Sequence, residues 1–230
     1  LIVLEGIDGS GKGTQCKLLF DRLTKEGFDV MTHSFPTYDS PAAIPIIKYL
    51  HSPVAHLIPP EVASAVFACD RVVWAQKARP QLETGKSCLL DRYVSSNVGH
   101  QGGKYRKLQA WSSEQEFITA RNTFINWLLD FEYTQLKLPQ PDLTVFLDIH
   151  PVVSQQLIMK KAARAYLEGK VKDAHEDDLQ HLIDARESYK LCADVLPNWH
   201  TVSTTRPDIP LDILVNPAIP AEKKMRLYEE

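Results

Sequence analysis

No apolar run in this 230-residue chain approaches the ~18 residues that a membrane-spanning helix requires, and no signal peptide is visible. A basic excess is also missing. Lys and Arg number 26 against 29 Asp and Glu, a net charge of −3, which excludes a nonspecific nucleic-acid or membrane-surface binder. Any anionic ligand must therefore be held by a local cluster of positive groups. None of the four cysteines, Cys16, Cys69, Cys88 and Cys192, forms a CxxC or CxxxC pair, so neither zinc nor a redox motif is indicated. Four reduced thiols in a cytoplasmic protein is the expectation. There is no internal repeat and no low-complexity tract.

What is present fits one ordinary domain over residues 1–230: 44% hydrophobic and 24% charged residues, enough to bury a core without staples. Continuous rather than alternating apolar runs at 1–4, 88–90 and 143–147 read as buried strands, with weaker candidates at 29–34 and 200–202. A strand opening at residue 1 implies that a few residues precede it. Between the strands lie helical patterns at 14–25, 60–82, 113–135, 152–166 and 179–196. The first places Cys16, Leu18, Leu19 and Leu23 on one side; in the second, Pro80 should end or bend the last turn. Ser113 and Glu116 have capping-box spacing. Alternating strands and helices predict an α/β fold with a five-stranded parallel sheet flanked by helices. The charged stretch 164–178 should pack loosely against the body. The end, with Pro207, Pro210, Pro217 and Pro220, reads as an irregular arm over 204–230.

The run Gly6-Ile7-Asp8-Gly9-Ser10-Gly11-Lys12-Gly13-Thr14-Gln15 follows a predicted strand and opens a helix, the context of a phosphate-binding loop. Glycines let backbone N–H groups point inward around phosphates, the helix N-terminus adds partial positive charge, and Lys12 reaches the outer phosphates of ATP. Gly13 stands where the strict pattern has Ser or Thr, and Thr14 comes one residue late, so the hydroxyl that would meet Mg²⁺ is not fixed. A glycine-rich turn with an incidental lysine is the alternative. An Asn-Lys-x-Asp guanine-reading motif is absent, which argues against a GTP switch.

With Asp8 inside it, this loop resembles that of thymidylate kinases, P-loop enzymes that phosphorylate dTMP to dTDP. Phe35-Pro36, Phe67-x-x-x-Arg71, Asp91-Arg92-Tyr93, Ser96-Asn97, Leu147-Asp148 and Asp173-x-x-Glu176 before Tyr189 follow in the same order. The resemblance covers roughly residues 1–202. It implies a P-loop nucleoside-triphosphate hydrolase-like fold with a small mobile lid near 160–178, and ATP and Mg²⁺ as donor and metal. Gly6, Asp8, Gly9, Ser10, Gly11, Lys12, Gly13 and Thr14 would bind ATP. Asp8, Phe35, Pro36, Phe67, Arg71, Arg92, Asn97 and Gln101 would bind the pyrimidine deoxynucleoside monophosphate. In the family, the carboxylate at Asp8 accepts from the acceptor's 3′-hydroxyl, the ring at Phe67 stacks on thymine and the guanidinium at Arg71 bonds its O4. Arg92 would clamp the acceptor phosphate, and Asp91 would hold Mg²⁺ through water. Lys12, Arg92 and Arg164 would be catalytic.

Three positions depart from the family or sort its branches. No arginine follows Phe35-Pro36, where Thr37 and Tyr38 stand. His100 occupies a place where an aromatic ring commonly packs near the sugar's C2′. Gly9 and the basic residues Lys160, Lys161 and Arg164 match the bacterial type, whose arginine sits on the lid; a solvated basic face reads the two lysines equally well. Plain core is the alternative for Phe67, and an ion pair at a strand end for Asp91 and Arg92. The resemblance implies a homodimer, for which Phe124, Trp127 and Phe131 offer a surface or simply core. Rival functions are kinases for AMP, UMP, dUMP or CMP, a deoxynucleoside kinase, and a non-catalytic ATP-binding module.

Overall fold

The computed structural model describes residues 1–167 and 178–204. The expected lid at 160–178 and the arm at 204–230 fall largely outside these residues. Five strands form one sheet: β1 (Ile2–Glu5), β2 (Val30–Ser34), β3 (Ser87–Asp91), β4 (Leu143–Asp148) and β5 (Trp199–Ser203). Their order is β2-β3-β1-β4-β5, and every pairing is parallel. All five expected strands form. β1 lies at the centre, with Val3 opposite Leu90 of β3 and Thr144 of β4.

A central parallel strand is apolar on both faces because helices cover both. On one face Leu4 and Leu89 pack with Cys16, Leu19 and Phe20 of α1 (Lys12–Lys25). On the other, Val3, Cys88 and Leu90 pack with Trp74, Ala75 and Ala78 of α3 (Pro60–Glu83), which follows the short helix α2 (Ile44–Leu50). Leu18, grouped with the apolar face of α1 by spacing, is exposed. α3 continues through Pro80 to Glu83 rather than stopping there.

A second core gathers around Phe146. It draws on α4 (Val94–Lys104), α5 (Glu114–Leu129), α6 (Pro151–Leu167) and α7 (Leu179–Lys190). The predicted helix over 179–196 breaks into α7 and the one-turn α8 (Cys192–Val195). Ser113 Oγ accepts from the Glu116 N–H as the box spacing predicts, but the Glu116 carboxylate reaches back to the Ser112 N–H. After Leu129 the chain widens into a π-helical turn, Asp130–Gln135, instead of continuing as α-helix to 135. Phe124 is buried in the core, while Trp127 and Phe131 stack on each other, half-buried.

Candidate active site

The carboxyl ends of parallel strands are where such sheets bind ligands, and here β1 and β3 deliver Glu5 and Asp91 to one edge. Beyond β1, residues 6–11 form the loop into α1. Gly6, Gly9 and Gly11 all have positive φ. At Gly6 a Cβ would lie 2.6 Å from Ser10 Oγ, and at Gly9 it would lie 2.7 Å from the Ser154 carbonyl of α6. Neither site tolerates a side chain. The Lys12 ammonium curls back onto the loop, donating to the Gly6 and Ile7 carbonyls, both at 2.8 Å. Burial, with Arg92 adding repulsion and Asp8 opposing, pushes its pKa down to about 8.

A cavity of about 540 Å³ runs from this loop to the start of α3. Asp8, Gly9, Gly11, Lys12, Gly13 and Thr14 line one end; Phe35, Pro36, Phe67, Arg71, Asp91, Arg92, Asn97 and Gln101 line the rest. Gly6 and Ser10 stand behind the wall and shape it. Arg164 falls on α6, and its side chain lies outside the described residues.

Arg92 adopts a left-handed backbone, φ 69°, which a non-glycine residue takes only when its neighbours enforce it. Its guanidinium pairs with Asp8 and donates to His100 Nε2 at 3.0 Å. A guanidinium can only donate, so His100 accepts there and is neutral. Its Nδ1–H then donates to His181 Nε2 at 3.2 Å, which makes His181 the acceptor in turn. Burial, reinforced by Arg92, holds the His100 pKa well below the usual histidine range, in keeping with that polarity. Burial alone would raise the Asp8 carboxyl, but the charges of Arg92 and Lys12 hold it well below the ordinary range.

At the far end Arg71 is buried, and its Nε and Nη2 grip Glu132 at 2.6 Å each. The π turn is what swings Glu132 inward, and π turns recur at functional sites. Asn97 donates its amide to the Ser64 carbonyl at 3.2 Å and to Glu132 at 2.9 Å. Its Oδ1 is thereby turned away from those partners. Phe67 meets Tyr49 edge-on and presents its ring to the cavity. The Tyr49 hydroxyl accepts from Lys104 and donates to Gln101 Oε1 at 3.3 Å. Where the sequence lacks an arginine, the Thr37 N–H is held by Asp70 at 2.7 Å.

Asp91 has a buried Oδ1 with no partner, and its Oδ2 would lie 3.2 Å from a Cβ placed on Gly13. Glycine at 13 therefore leaves room beside this carboxylate. No group of three or more His, Cys, Asp or Glu gathers as a metal cage among the described residues. Mg²⁺ is commonly held by one or two carboxylates plus substrate phosphates and water. The orphaned Asp91 oxygen fits that use.

Sequence reasoning found most of this wall. It missed His181, Tyr49 and Lys104 in the wall and Glu132 buried behind it, which no motif spacing marks.

A family model described as thymidylate kinase matches residues 4–210. A probable thymidylate kinase of Thermococcus kodakarensis is 29% identical over 213 residues, covering 88% of each chain. The thymidylate kinase of Schizosaccharomyces pombe is 29% identical over 157 residues, 67% of this chain and 63% of its own. Among solved structures, a thymidylate kinase from Candida albicans superposes with a TM-score of 0.62 at 21% identity, over 99% of this chain and 88% of that one. That likeness shows the fold.

Proposed function

This chain belongs to the thymidylate kinase family, and from that membership we propose that it transfers the γ-phosphoryl group of ATP to dTMP, giving dTDP. The observation that carries the proposal is a single cavity joining the phosphate loop to the wall formed by Phe67, Arg71, Arg92 and Asn97. Phosphoryl transfer needs positioning and neutralisation of charge more than covalent help. Lys12 releases the loop carbonyls and takes the donor's outer phosphates, with the loop amides around it. Arg92 holds the acceptor phosphate in line, and Asp8 receives the sugar's 3′-hydroxyl. Mg²⁺, when bound beside Asp91, supplies positive charge to the donor phosphates. Arg164, six residues beyond Ile158 along α6, is the proposed source of a further cation. Gly9 cannot carry an arginine, because α6 occupies that space.

Base choice follows from fixed hydrogen-bond polarity. Asn97 has both amide protons committed, so it offers an acceptor to N3–H of thymine or uracil. Arg71 Nη1 donates one proton to the Tyr93 carbonyl at 3.5 Å and keeps the other for a carbonyl at O4, while Phe67 stacks on the ring. Cytosine presents N3 as an acceptor and N4 as a donor, the reverse pattern, and a mismatched polar edge costs a large factor in selectivity. The test is a coupled ADP-release assay with dTMP, dUMP, UMP, dCMP, AMP and thymidine. dTMP should lead, with dCMP lower by about 10⁴-fold on the scale of unpaired polar groups. AMP or thymidine as the best acceptor would overturn the reading. The polar pair His100 and His181 beside the sugar favours a second feature: UMP should be turned over nearly as well as dUMP.

The reading extends to assembly and location. A homodimer is proposed through α3, where Val62, Cys69 and Val73 are exposed and Val66 is half-buried on one stripe. Phe124 is core and drops out as a contact. No helix of the described residues is long and apolar enough to cross a membrane. The free thiols support a cytoplasmic location.

A further inference from the structure

Glu5 ends β1 immediately before the phosphate loop, yet it does not line the cavity and is completely buried. A buried carboxylate without compensation is expensive, and such groups persist when every oxygen is hydrogen-bonded. Glu5 has no cation within salt-bridge distance among the described residues. Four neutral donors hold it instead. Oε1 accepts from the Tyr93 N–H and Ser95 Oγ, each at 2.8 Å, and Oε2 accepts from Ser96 Oγ at 2.8 Å and the Tyr189 hydroxyl at 2.9 Å.

These donors bracket one functional group. The Arg92 N–H is bound to the Leu4 carbonyl at 3.0 Å, and the next N–H along the chain, that of Tyr93, is bound to Glu5. β1 therefore grips the backbone on both sides of Arg92, the residue in the left-handed region. Relaxing φ to a negative value would move the Tyr93 N–H away from Glu5. The same carboxylate stands at the N-terminus of α4, whose N-cap residue Tyr93 makes no side-chain cap. An anion is favoured there.

We infer that Glu5 is a positioning residue: by holding the Tyr93 N–H and the first turn of α4, it fixes the strained turn that aims Arg92 at the acceptor phosphate. The inference rests on Arg92 being the acceptor clamp. Tyr189 extends the arrangement to α7, since its hydroxyl bonds Glu5 while its ring packs edge-on against His100, the partner of Arg92.

The test compares Glu5→Ala and Glu5→Gln with the wild type by KM and kcat for dTMP and for ATP separately, with thermal melts alongside. Glu5→Ala should lower kcat/KM for dTMP by about 10- to 100-fold, the range typical of lost outer hydrogen bonds to a functional group. Its KM for ATP should stay within about twofold, because Lys12 and the loop amides are unaffected. Glu5→Gln keeps Oε1 for Tyr93 and Ser95, and the Ser96 and Tyr189 hydroxyls can turn to accept from its amide, so it should recover most of the loss. Equal loss for both substrates, or a glutamine variant as impaired as alanine, overturns the inference. If Glu5→Ala fails to fold, Ser96→Ala and Tyr189→Phe each remove one donor. A loss of a few-fold confined to dTMP then supports the inference, and unchanged dTMP parameters in both refute it. A wild type that prefers AMP to dTMP would sink the base assignment alone, and the variant ratios measured on AMP would still judge Glu5.

Discussion

Lys12 is held in an unfavourable environment. Its ammonium is buried among carbonyls with Arg92 nearby, and burial lowers its pKa from 10.5 to about 8. A lysine whose folded pKa is depressed destabilises the fold fully below pH 8. That penalty fades as the unfolded chain also loses its proton toward pH 10.5. Lys12→Met should therefore raise Tm at pH 7, with the gain shrinking between pH 8 and 10.5. Turnover should fall by at least about a hundredfold, the scale for a lost transition-state charge. Differential scanning at several pH values checks the first, and an ADP-release assay the second. A variant that melts lower at pH 7 would refute the strained-lysine account. Lys12 was legible in the sequence because the chemistry of phosphate binding limits which residue types can stand in such a loop, and Asp8 and Arg92 were legible through the resemblance to thymidylate kinases. Glu132 was not, because an acid in the middle of a helical pattern reads as a solvated face until the π turn buries it against Arg71.

Between elements, the tightest packing is that of α4 on α7. At Gly99 a Cβ would lie 2.2 Å from the Tyr189 ring, and at Gly103 it would lie 2.8 Å from the backbone of Asp184 and Ala185. Gly99 is not needed for a positive φ; it is needed for approach. Gly99→Ala should then destabilise the protein by about 1–3 kcal/mol, the range for overpacking a dense core, despite alanine's better helix propensity. Urea denaturation at constant m-value measures it, and a stability equal to or above wild type would show that α7 moves aside freely. The strands were legible because a parallel sheet covered on both faces demands unbroken apolar runs, as at Cys88–Leu89–Leu90. α2 was not, because seven residues containing Pro45 give too few turns for a period to emerge. The close approach of α4 to α7 leaves only scattered glycines in the sequence, and those read equally well as loop.

For the whole molecule, the outward face of α3 is what the monomer leaves unexplained. Val62, Val66, Cys69 and Val73 follow one another at spacings of four, three and four residues, the rhythm of a helix seam. Three of them are exposed although the same helix buries Trp74, Ala75 and Ala78 on its opposite side. A second copy of the chain, related by a twofold axis, would cover stripe with stripe, since a twofold interface pairs a patch with itself. Cys69 then reports directly, as Cys16, Cys88 and Cys192 are buried and it alone is exposed among the four thiols. Light scattering should give about twice the 26.0 kDa chain mass, and Cys69 should react slowly with an aromatic disulfide reagent. Val73→Glu places a charge in the seam without touching the cavity. It should halve the mass and speed the Cys69 reaction while the protein keeps its melting cooperativity. A native chain that already scatters as a monomer, with Cys69 reacting at the rate of a free thiol, would leave α3 without a partner and refute the dimer.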